Sequence, residues 1–485
     1  MPETLSKSQI LAGRQCARRL WLQANRPELR VYSPSTGRRF VQGHRLNELV
    51  HRLYPGGRVI DEDKGPAEAL QLTAAHLARH PDQPLFEAAF RSHRVLVRAD
   101  MIRGGEDGFE LTEVKSSTRV KQHHLLDCAV QHWVICAAGH PLTKTTLAHV
   151  DTRFVYAGDG NFTGLLRHVD VSERILELLP QVPNWIDEGL AVLSLREEPD
   201  IETGPHCTRP FPCPFQAHCK PPASGYPVSL LPGGGRIIGQ LQNEGIRDIR
   251  EIPEGRLHKP LHERVRQATI SEQAYTGPEI AAILLALPYP RYYLDFESIQ
   301  FVIPRWSATR PYQQLPFQWS CHIELSPGNL LHEDFLDESG EAPLRACAES
   351  LLKPLGNAGP IFCYSRYERT VIHQLAARFP DLSTRLVSLV ERLFDLLPLV
   401  KAHYYHPAMR GSFSIKAVLP TIAPELGYDR LGDVSDGIGA QIAYEELIDE
   451  TSSAQRRQEL SGELRRYCSL DTLAMVRMVR YFENR

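Results

Sequence analysis

Residues 207–219 read Cys-Thr-Arg-Pro-Phe-Pro-Cys-Pro-Phe-Gln-Ala-His-Cys, so five residues separate each of Cys207, Cys213 and Cys219 from the next. A fourth cysteine, Cys16, stands far upstream, near the start of the chain. In common zinc sites two residues separate paired cysteines, and this spacing is unlike theirs. Three such cysteines with a distant fourth indicate a metal centre that ties the two ends of a domain together, rather than small buried apolar residues.

The length of 485 residues exceeds one ordinary hydrophobic core and predicts two or three domains. Apolar residues make up 42% of the chain, which is normal for a globular protein. No apolar run approaches the roughly 18 residues that a membrane-spanning helix needs, and the first residues lack the apolar stretch of a signal peptide. We therefore expect a cytoplasmic protein without a membrane partner, whose ten cysteines are reduced or bound to metal.

Positive charge is concentrated near the start of the chain. The net charge of −3 does not by itself indicate a nucleic-acid partner, but residues 7–58 contain eleven Lys or Arg and only two acids. Such a segment could line a surface that contacts phosphate, or it could be a solvated helical face. Within it the sequence predicts helices over residues 7–23 and 41–53.

Two predicted strands carry polar residues between the cysteines. Residues 93–101 alternate between apolar and polar side chains, and residues 109–115 follow a glycine-rich turn. In such a hairpin Asp100 lies opposite Glu113 to within about one residue, while Glu113 and Lys115 share one face. Two carboxylates and a lysine at this spacing suit a site that binds Mg²⁺ or Mn²⁺ and hydrolyses phosphate esters.

Together these stretches resemble the RecB-like nucleases of the PD-(D/E)xK superfamily. The matching residues are Cys16-Ala-Arg-Arg-Leu-Trp21, Ala99-Asp100, Glu113-Val-Lys115, Gln131 on a predicted helix over 124–138, and Cys207 to Cys219. The resemblance covers residues 1–222 and implies a restriction-endonuclease-like core. It also implies that Cys16, Cys207, Cys213 and Cys219 bind a 4Fe-4S cluster with a structural role, although a zinc ion on these cysteines remains an alternative. Gln131 would contact the substrate or position the site.

The chain departs from this family at one position. The family carries Gly-x-x-x-His before the acidic residues, whereas Gly43 is followed four residues later by Asn47. His44 and His51 flank this position and are candidates to replace the histidine. Glu87 is a further candidate carboxylate, with a role at the edge of the core as its alternative. Cys128 and Cys136 are assigned to the core.

Proline and glycine mark the end of this domain. Pro221, Pro222 and the run Pro232-Gly-Gly-Gly235 predict a linker, and residues 236–275 predict a small helical connector. We assign residues 223–287 to linker and connector. Alternating strands and helices over 288–485 predict a second α/β domain.

The second domain opens with Tyr292-Tyr-Leu-Asp295-Phe-Glu297, a predicted strand whose two carboxylates share one face. Near its end, Tyr467 and Asp471 lie at positions i and i+4 of a predicted helix. These motifs resemble the DnaQ-like 3′-5′ exonucleases, which have an RNase H-like mixed sheet, in the variant whose last motif contains tyrosine. The resemblance implies that Asp295, Glu297, Glu368 and Asp471 bind two divalent ions while Tyr467 orients the attacking water.

The middle motif of that family normally has aspartate where this chain has Glu368, and Asp395 is an alternative ligand. Residues 404–416 could cradle a phosphate or form an ordinary loop. The overall expectation is an α/β protein with two nuclease domains that acts on DNA in repair, recombination or defence, with a helicase or repair protein as a candidate partner. The alternatives are an RNA-processing exonuclease whose first domain only binds, and a binding subunit without activity.

Overall fold

The computed structural model describes residues 4–61, 63–220, 225–427, 432 and 434–484, so the predicted boundary at 222 and prolines 221 and 222 of the predicted linker lie outside the described residues. The chain is a mixed α/β protein with several sheets. It divides into two compact units. The first unit comprises Met1–Pro221 and Phe301–Gln313, and the second comprises Pro222–Gln300 and Gln314–Arg485.

The first unit contains one large sheet with helices. Its strands are β1 (Leu5–Ser6), β2 (Arg58–Val59), β3 (Leu85–Ser92), β4 (Val95–Gly104), β5 (Phe109–Lys115), β6 (Leu142–Val150) and β7 (Leu166–Asp170). Its helices are α1 (Lys7–Gln15), α2 (Ala17–Asn25), α3 (Pro34–Leu53), α4 (Pro66–Arg79), α5 (Gln122–Ala137), α6 (Ser172–Leu176), α7 (Val182–Ser194) and α8 (Gln216–Cys219). The strand order is β2-β3-β4-β5-β6-β7, and β1 pairs with β4.

The hairpin that carries the predicted acids is present. Strands β4 and β5 are antiparallel, and Met101 pairs with Thr112. Asp100 and Glu113 are the next residues of the two strands beyond this pair, and the Asp100 carboxylate accepts a hydrogen bond from the N–H of Val114. Because side chains alternate across a strand, the neighbours Ala99 and Val114 point the other way and are buried.

The prediction of a single helix over residues 7–23 is wrong, because the chain forms two helices that are separated at Cys16. Cys16 has extended dihedral angles (φ −166°, ψ 124°), and its backbone ends α1 and precedes α2. The N–H of Cys16 still donates to the carbonyl of Ala12 over 2.9 Å. Because its backbone is extended, Cys16 does not follow the helical repeat of α1 or α2.

Residues 301–313 lie between two strands of the second unit in sequence but belong to the first unit. Val302 is 3% exposed and packs in a core cluster with Leu46 and Phe86. The backbone of Tyr156 exchanges hydrogen bonds with Ala308 and Thr309. The predicted range 288–485 for the second domain therefore includes a segment that packs with the first.

The second unit contains a mixed sheet and the remaining helices. Its strands are β8 (Tyr275–Thr276), β9 (Arg291–Ile299), β10 (Leu315–Ser326), β11 (Asn329–Leu336), β12 (Ile361–Cys363), β13 (Leu393–Asp395) and β14 (Tyr404–Tyr405). Its helices are α9 (Gly235–Asn243), α10 (Pro260–Ser271), α11 (Glu279–Leu285), α12 (Leu344–Leu351), α13 (Tyr367–Arg378), α14 (Pro380–Glu391), α15 (Leu396–His403), α16 (Ile415–Ile422), α17 (Gly437–Leu447) and α18 (Ala454–Phe482). The main sheet has the order β11-β10-β9-β12-β13, with β9 antiparallel to β10 and parallel to β12.

The predicted connector is part of the core of the second unit. Leu241 of α9 and Val265 of α10 are buried in the same apolar cluster as Tyr293 of β9 and Met475 of α18. Burial of these side chains against the sheet and the last helix makes this segment an integral layer rather than an independent spacer. Among the described residues, no helix combines the length and the apolar character that crossing a bilayer requires.

Candidate functional site

Three carboxyl groups converge in the second unit. Asp295 and Glu297 are two residues apart on β9 and therefore share one face, and Asp471 is on α18, which packs on this sheet. One oxygen from each of the three side chains lies within 4.8 Å of the others. Glu297 and Asp471 are buried and Asp295 is half-buried. The second site, as we name it, comprises these residues with Glu368 and Tyr467.

The electrostatics of the second site disfavour three bare negative charges. Burial and the charges of Asp471, Glu297 and Glu368 raise the pKa of Asp295 well above its ordinary value. Burial, with Asp471 as the next cause, raises the pKa of Glu297 to about 8. A bound divalent cation relieves this repulsion, and carboxylate oxygens are the ligands that Mg²⁺ and Mn²⁺ prefer.

Glu368 completes the acidic group from a third element. It lies in the first turn of α13, is 3% exposed, and accepts a hydrogen bond of 3.3 Å from the Ser365 hydroxyl. Burial raises its pKa to about 7, and Glu368 and Asp295 influence each other's pKa. Asp395, the alternative candidate, instead caps α15 by accepting from the N–H of Leu397 over 3.0 Å. It still contributes to the raised pKa of Glu368.

Tyr467 and Lys416 lie beside this site. Tyr467 is 3% exposed and one helical turn from Asp471 on α18. The ammonium of Lys416 is 4.9 Å from the centre of the Tyr467 ring, donates to the carbonyl of Ser435 over 2.6 Å, and acts to lower the pKa of Glu297. Lys416 ends the 404–416 stretch, so that stretch does bring a cation to the second site.

The first site consists of Asp100, Glu113, Lys115 and Gln131 in the first unit. Asp100 Oδ2 accepts from the N–H of Val114 over 2.7 Å, which links β4 to β5 beside Glu113. Lys115 Nζ lies 2.5 Å from Glu113 Oε1. Gln131, fully buried on α5, donates from Nε2 to Glu113 Oε2 over 2.7 Å. The structure therefore brings all four predicted residues together.

Two residues of the first site were missed by the sequence analysis. Asp127 on α5 lies 2.6 Å from Lys115 Nζ, and Lys7 at the start of α1 lies 3.0 Å from both Asp127 and Glu113. Burial would raise the pKa of Asp127, but the two lysines hold it well below its usual range. Asp127 precedes Gln131 by one helical turn, a spacing that could have identified it. No local pattern points to Lys7.

The two histidines near Asn47, His44 and His51, contact residues outside the first site. His44 is largely exposed and lies 3.5 Å from Glu48, and the ring of His51 packs on Phe86 with centroids 4.6 Å apart. Asn47 is half-buried on α3. Glu87 is 8% exposed and contributes to the strongly raised pKa of Asp100, whose largest cause is burial followed by Glu113. Glu87 is therefore buried and close enough to influence Asp100.

The four predicted cluster cysteines line one cavity in the first unit, together with Arg18 and Arg19. All four are free thiols. Burial raises the pKa of Cys213, and the neighbouring thiols of Cys16 and Cys207 raise it further, while Arg19 opposes them. Four thiols around one cavity with adjacent guanidinium groups are a donor set that fits an iron–sulfur cluster or a zinc ion. Cys128 is in the core, as predicted.

Comparisons with known proteins found a family model that matches about a quarter of the chain. A family model described as a domain of unknown function, DUF2779, matches residues 292–414, a range that contains Asp295, Glu297 and Glu368. No curated protein matches the chain. A solved structure titled "Crystal structure of SSO0001" is similar over 38% of this chain and 77% of its own, with 13% identity and a TM-score of 0.20.

Proposed function

We propose that this protein is a metal-dependent nuclease that hydrolyses DNA, with a RecB-like site in the first unit and a 3′-5′ exonuclease site in the second. The convergence of Asp295, Glu297 and Asp471 within 4.8 Å carries the proposal. Carboxyl groups this close and this buried oppose one another, and a divalent cation is the partner that makes such a group favourable.

At the second site each residue has a distinct task. Divalent ions, when bound by Asp295, Glu297, Glu368 and Asp471, would activate a water molecule and neutralise the scissile phosphate. Tyr467, one turn before Asp471, would orient the attacking water through its hydroxyl. The ammonium of Lys416, 4.9 Å from the Tyr467 ring centre, would attract a phosphate of the substrate strand.

At the first site Asp100 and Glu113 would bind a single divalent ion, and Lys115 would stabilise negative charge that develops on the phosphate. Gln131 orients Glu113 through its hydrogen bond of 2.7 Å. The cysteine cluster would bind its iron–sulfur group as a structural element, because α1 and α2 meet at Cys16 while the other three thiols come from residues 207–219.

DNA is the favoured substrate because the resemblance of the first unit is to nucleases that act mainly on DNA. The basic helix α3 supports a nucleic-acid partner. It carries Arg38, Arg39, Arg45 and Arg52 against the single acid Glu48. Just before and within it, Tyr32 and Phe40 are 45% and 58% exposed, and aromatic rings beside arginines are typical of surfaces that bind single strands.

The proposal is tested with end-labelled single-stranded DNA, duplex DNA and RNA in the presence of Mg²⁺ or Mn²⁺. Asp295→Asn is expected to reduce shortening from the 3′ end at least about a hundredfold, because several kcal/mol of metal-dependent stabilisation are lost. Asp100→Asn is expected to remove the remaining cleavage. The protein is prepared without oxygen so that the four cysteines, and an iron–sulfur cluster bound to them, are not oxidised.

Matched controls are Glu391→Gln in the second unit and Asp107→Asn in the first, since both residues are exposed. Both controls are expected to cleave like the unaltered protein. Cleavage by a variant that carries Asp295→Asn and Asp100→Asn together would contradict the proposal. Iron and sulfide analysis separates the cofactors: about four irons per chain indicate the 4Fe-4S cluster, and zinc alone would exclude it.

The second candidate function is a 3′-5′ exonuclease, acting on RNA, whose first unit only binds nucleic acid. One observation favours a silent first site: the carboxylates of Glu113 and Asp127 are each within 3.0 Å of two lysines. In that case Asp100→Asn would leave every activity unchanged, and RNA would be degraded faster than DNA.

A further inference from the structure

Lys7 is an unusual member of the first site because it comes from the start of α1, far in sequence from the hairpin. Ser6 caps this helix and forms a reciprocal capping box with Gln9, which fixes the backbone at Lys7. The Lys7 side chain is 21% exposed, and its ammonium lies 3.0 Å from Glu113 Oε1 and 3.0 Å from Asp127 Oδ1. These two ion pairs link the N-terminus of α1 to the first site.

Lys115 contacts the same two carboxylates. Its ammonium lies 2.5 Å from Glu113 Oε1 and 2.6 Å from Asp127 Oδ2. Two ammonium groups and two carboxylates therefore form a closed ring of ion pairs in which the charges balance. The second oxygen of Glu113 is also engaged, because it accepts from Gln131 over 2.7 Å.

This ring has a direct consequence for metal binding. A divalent ion needs lone pairs of Glu113, and both oxygens of that carboxylate already accept from buried or half-buried donors. We propose that Lys7 is a displaceable counter-ion of the first site, which competes with a divalent ion for Glu113 and Asp127. This inference rests on the proposed function, since it requires that the first site bind a metal ion.

Lys7, rather than Lys115, is the cation suited to leave. Lys115 makes the shorter contacts, 2.5 Å to Glu113 and 2.6 Å to Asp127, and lies on β5 two residues from Glu113, whereas Lys7 lies 3.0 Å from each carboxylate and comes from a different element, α1. When Lys7 withdraws, Asp127 stays in place because Gln131 Nε2 lies 3.2 Å from Asp127 Oδ1, one turn away on α5. Asp127 is thus an additional carboxylate available to the ion.

The test measures Mn²⁺ binding rather than cleavage. The parent is the full chain carrying Asp295→Asn and Asp471→Asn, so that the second site does not contribute, and electron paramagnetic resonance reports free Mn²⁺ during titration. Adding Lys7→Met is expected to tighten Mn²⁺ binding on the order of tenfold, because close charge pairs couple strongly. Lys144→Met, at an exposed position of β6, is the matched control and is expected to bind like the parent.

Further variants distinguish a failure of the proposed metal site from a failure of the inference about Lys7. Glu113→Gln is expected to abolish Mn²⁺ binding; if it binds as the parent does, the first site is not a metal site and the proposed function of the first unit fails. If Glu113→Gln abolishes binding but Lys7→Met leaves the affinity unchanged, the inference about Lys7 is overturned while the metal site stands. Lys7→Arg keeps the charge and is expected to match the parent; equal tightening by Lys7→Arg and Lys7→Met would also overturn the inference.

Discussion

At the residue scale, the second site depends on the alternation of a buried strand. Leu294 and Phe296 point to one side of β9 and are 0% and 3% exposed, so Asp295 and Glu297 must both point to the other. The cost of burying acids is reduced while they are protonated, and this is why their pKa values rise. Their metal affinity is consequently coupled to pH.

This coupling gives a prediction for Mg²⁺ or Mn²⁺ binding at the second site. The pKa of Glu297 is about 8 and that of Glu368 about 7, so protons compete with the metal below these values. Affinity is expected to rise from pH 6 through pH 8, where Glu297 is still about half protonated, and to level off only about one pH unit higher, with protons released on binding. Calorimetric titration at several pH values measures the affinity. Repeating it in buffers of different ionisation enthalpy measures the number of protons released on binding. An affinity that is independent of pH over this interval would contradict the assignment of these carboxyls as ligands.

Sequence patterns identified the site residues whose relation is local. The pairs Asp295 with Glu297 and Tyr467 with Asp471 follow from the two-residue repeat of strands and the turn of a helix. Lys7 could not be found in this way, and the 404–416 stretch gave Lys416 only as a candidate phosphate contact without linking it to the second site, because each lysine reaches its site through the packing of a helix that is remote in sequence.

At the element scale, β9 and α18 together position the second site, and a buried ion pair joins their ends. Arg291 opens β9, Glu483 follows α18, and their charged atoms lie 2.6 Å apart with both side chains 1% exposed. Arg291 also donates to the carbonyls of Leu284 and Leu287 over 2.8 Å each. These contacts fix the strand and the helix that supply the three convergent carboxyls.

Glu483→Ala is therefore expected to destabilise the second unit by about 3–5 kcal/mol, because the buried charge of Arg291 would lose the carboxylate that neutralises it. Urea unfolding monitored by circular dichroism measures the change. The exposed pair Arg345–Glu349 provides the control, and Glu349→Ala is expected to cost less than about 1 kcal/mol. Equal effects of the two substitutions would show that the buried pair does not hold β9 to α18.

Helix α3 and the residues just before it carry a second element-scale prediction. The rings of Tyr32 and Phe40 meet edge to face with centroids 5.3 Å apart, and both are exposed. Phe40→Ala is expected to weaken binding of single-stranded DNA by about 1–3 kcal/mol through lost stacking.

Arg39→Ala is expected to reduce the number of counterions released on DNA binding by about one, which lowers the slope of the logarithm of affinity against the logarithm of salt concentration. Fluorescence anisotropy measures both, with the exposed Leu176→Ala as control. Unchanged affinity in both variants would remove this surface from the binding model.

Secondary structure was predictable where apolar residues repeat regularly, as in β4, β5, β9 and α18. The break at Cys16 was not, because residues 7–23 have helical periodicity throughout and only the position of the cysteine among three distant thiols explains the interruption. The integration of α9 and α10 into the core of the second unit was also beyond local patterns, since it depends on contacts with β9 and α18.

At the scale of the whole molecule, the chain builds two units that each have their own sheet, core and polar site. The first unit is discontinuous in sequence. Gly158 shows how closely its two parts pack, because its φ is +93° and a Cβ there would lie 2.8 Å from the Cβ of Ser307. The hydroxyl of Tyr312 donates to the carbonyl of Ser116, the residue after Lys115.

A fragment that ends at the linker is consequently expected to be incomplete. Residues 1–221 alone lack Val302, whose burial contributes about 1.5–3 kcal/mol, and lack the hydrogen bonds to Tyr156. Thermal unfolding is expected to show a lower midpoint for this fragment than for the same fragment with residues 301–313 fused to its end through a flexible linker. Equal midpoints would show that this segment adds nothing to the first unit.

The discontinuity of the first unit also bears on how such a protein is inherited. A recombination event at the proline- and glycine-rich linker would transfer a gene segment that encodes an unfinished first unit and would leave behind a second unit with an orphaned loop at 301–313. Partial transfer is therefore penalised at the level of folding. We expect the two halves of the gene to be passed on together, as one heritable module.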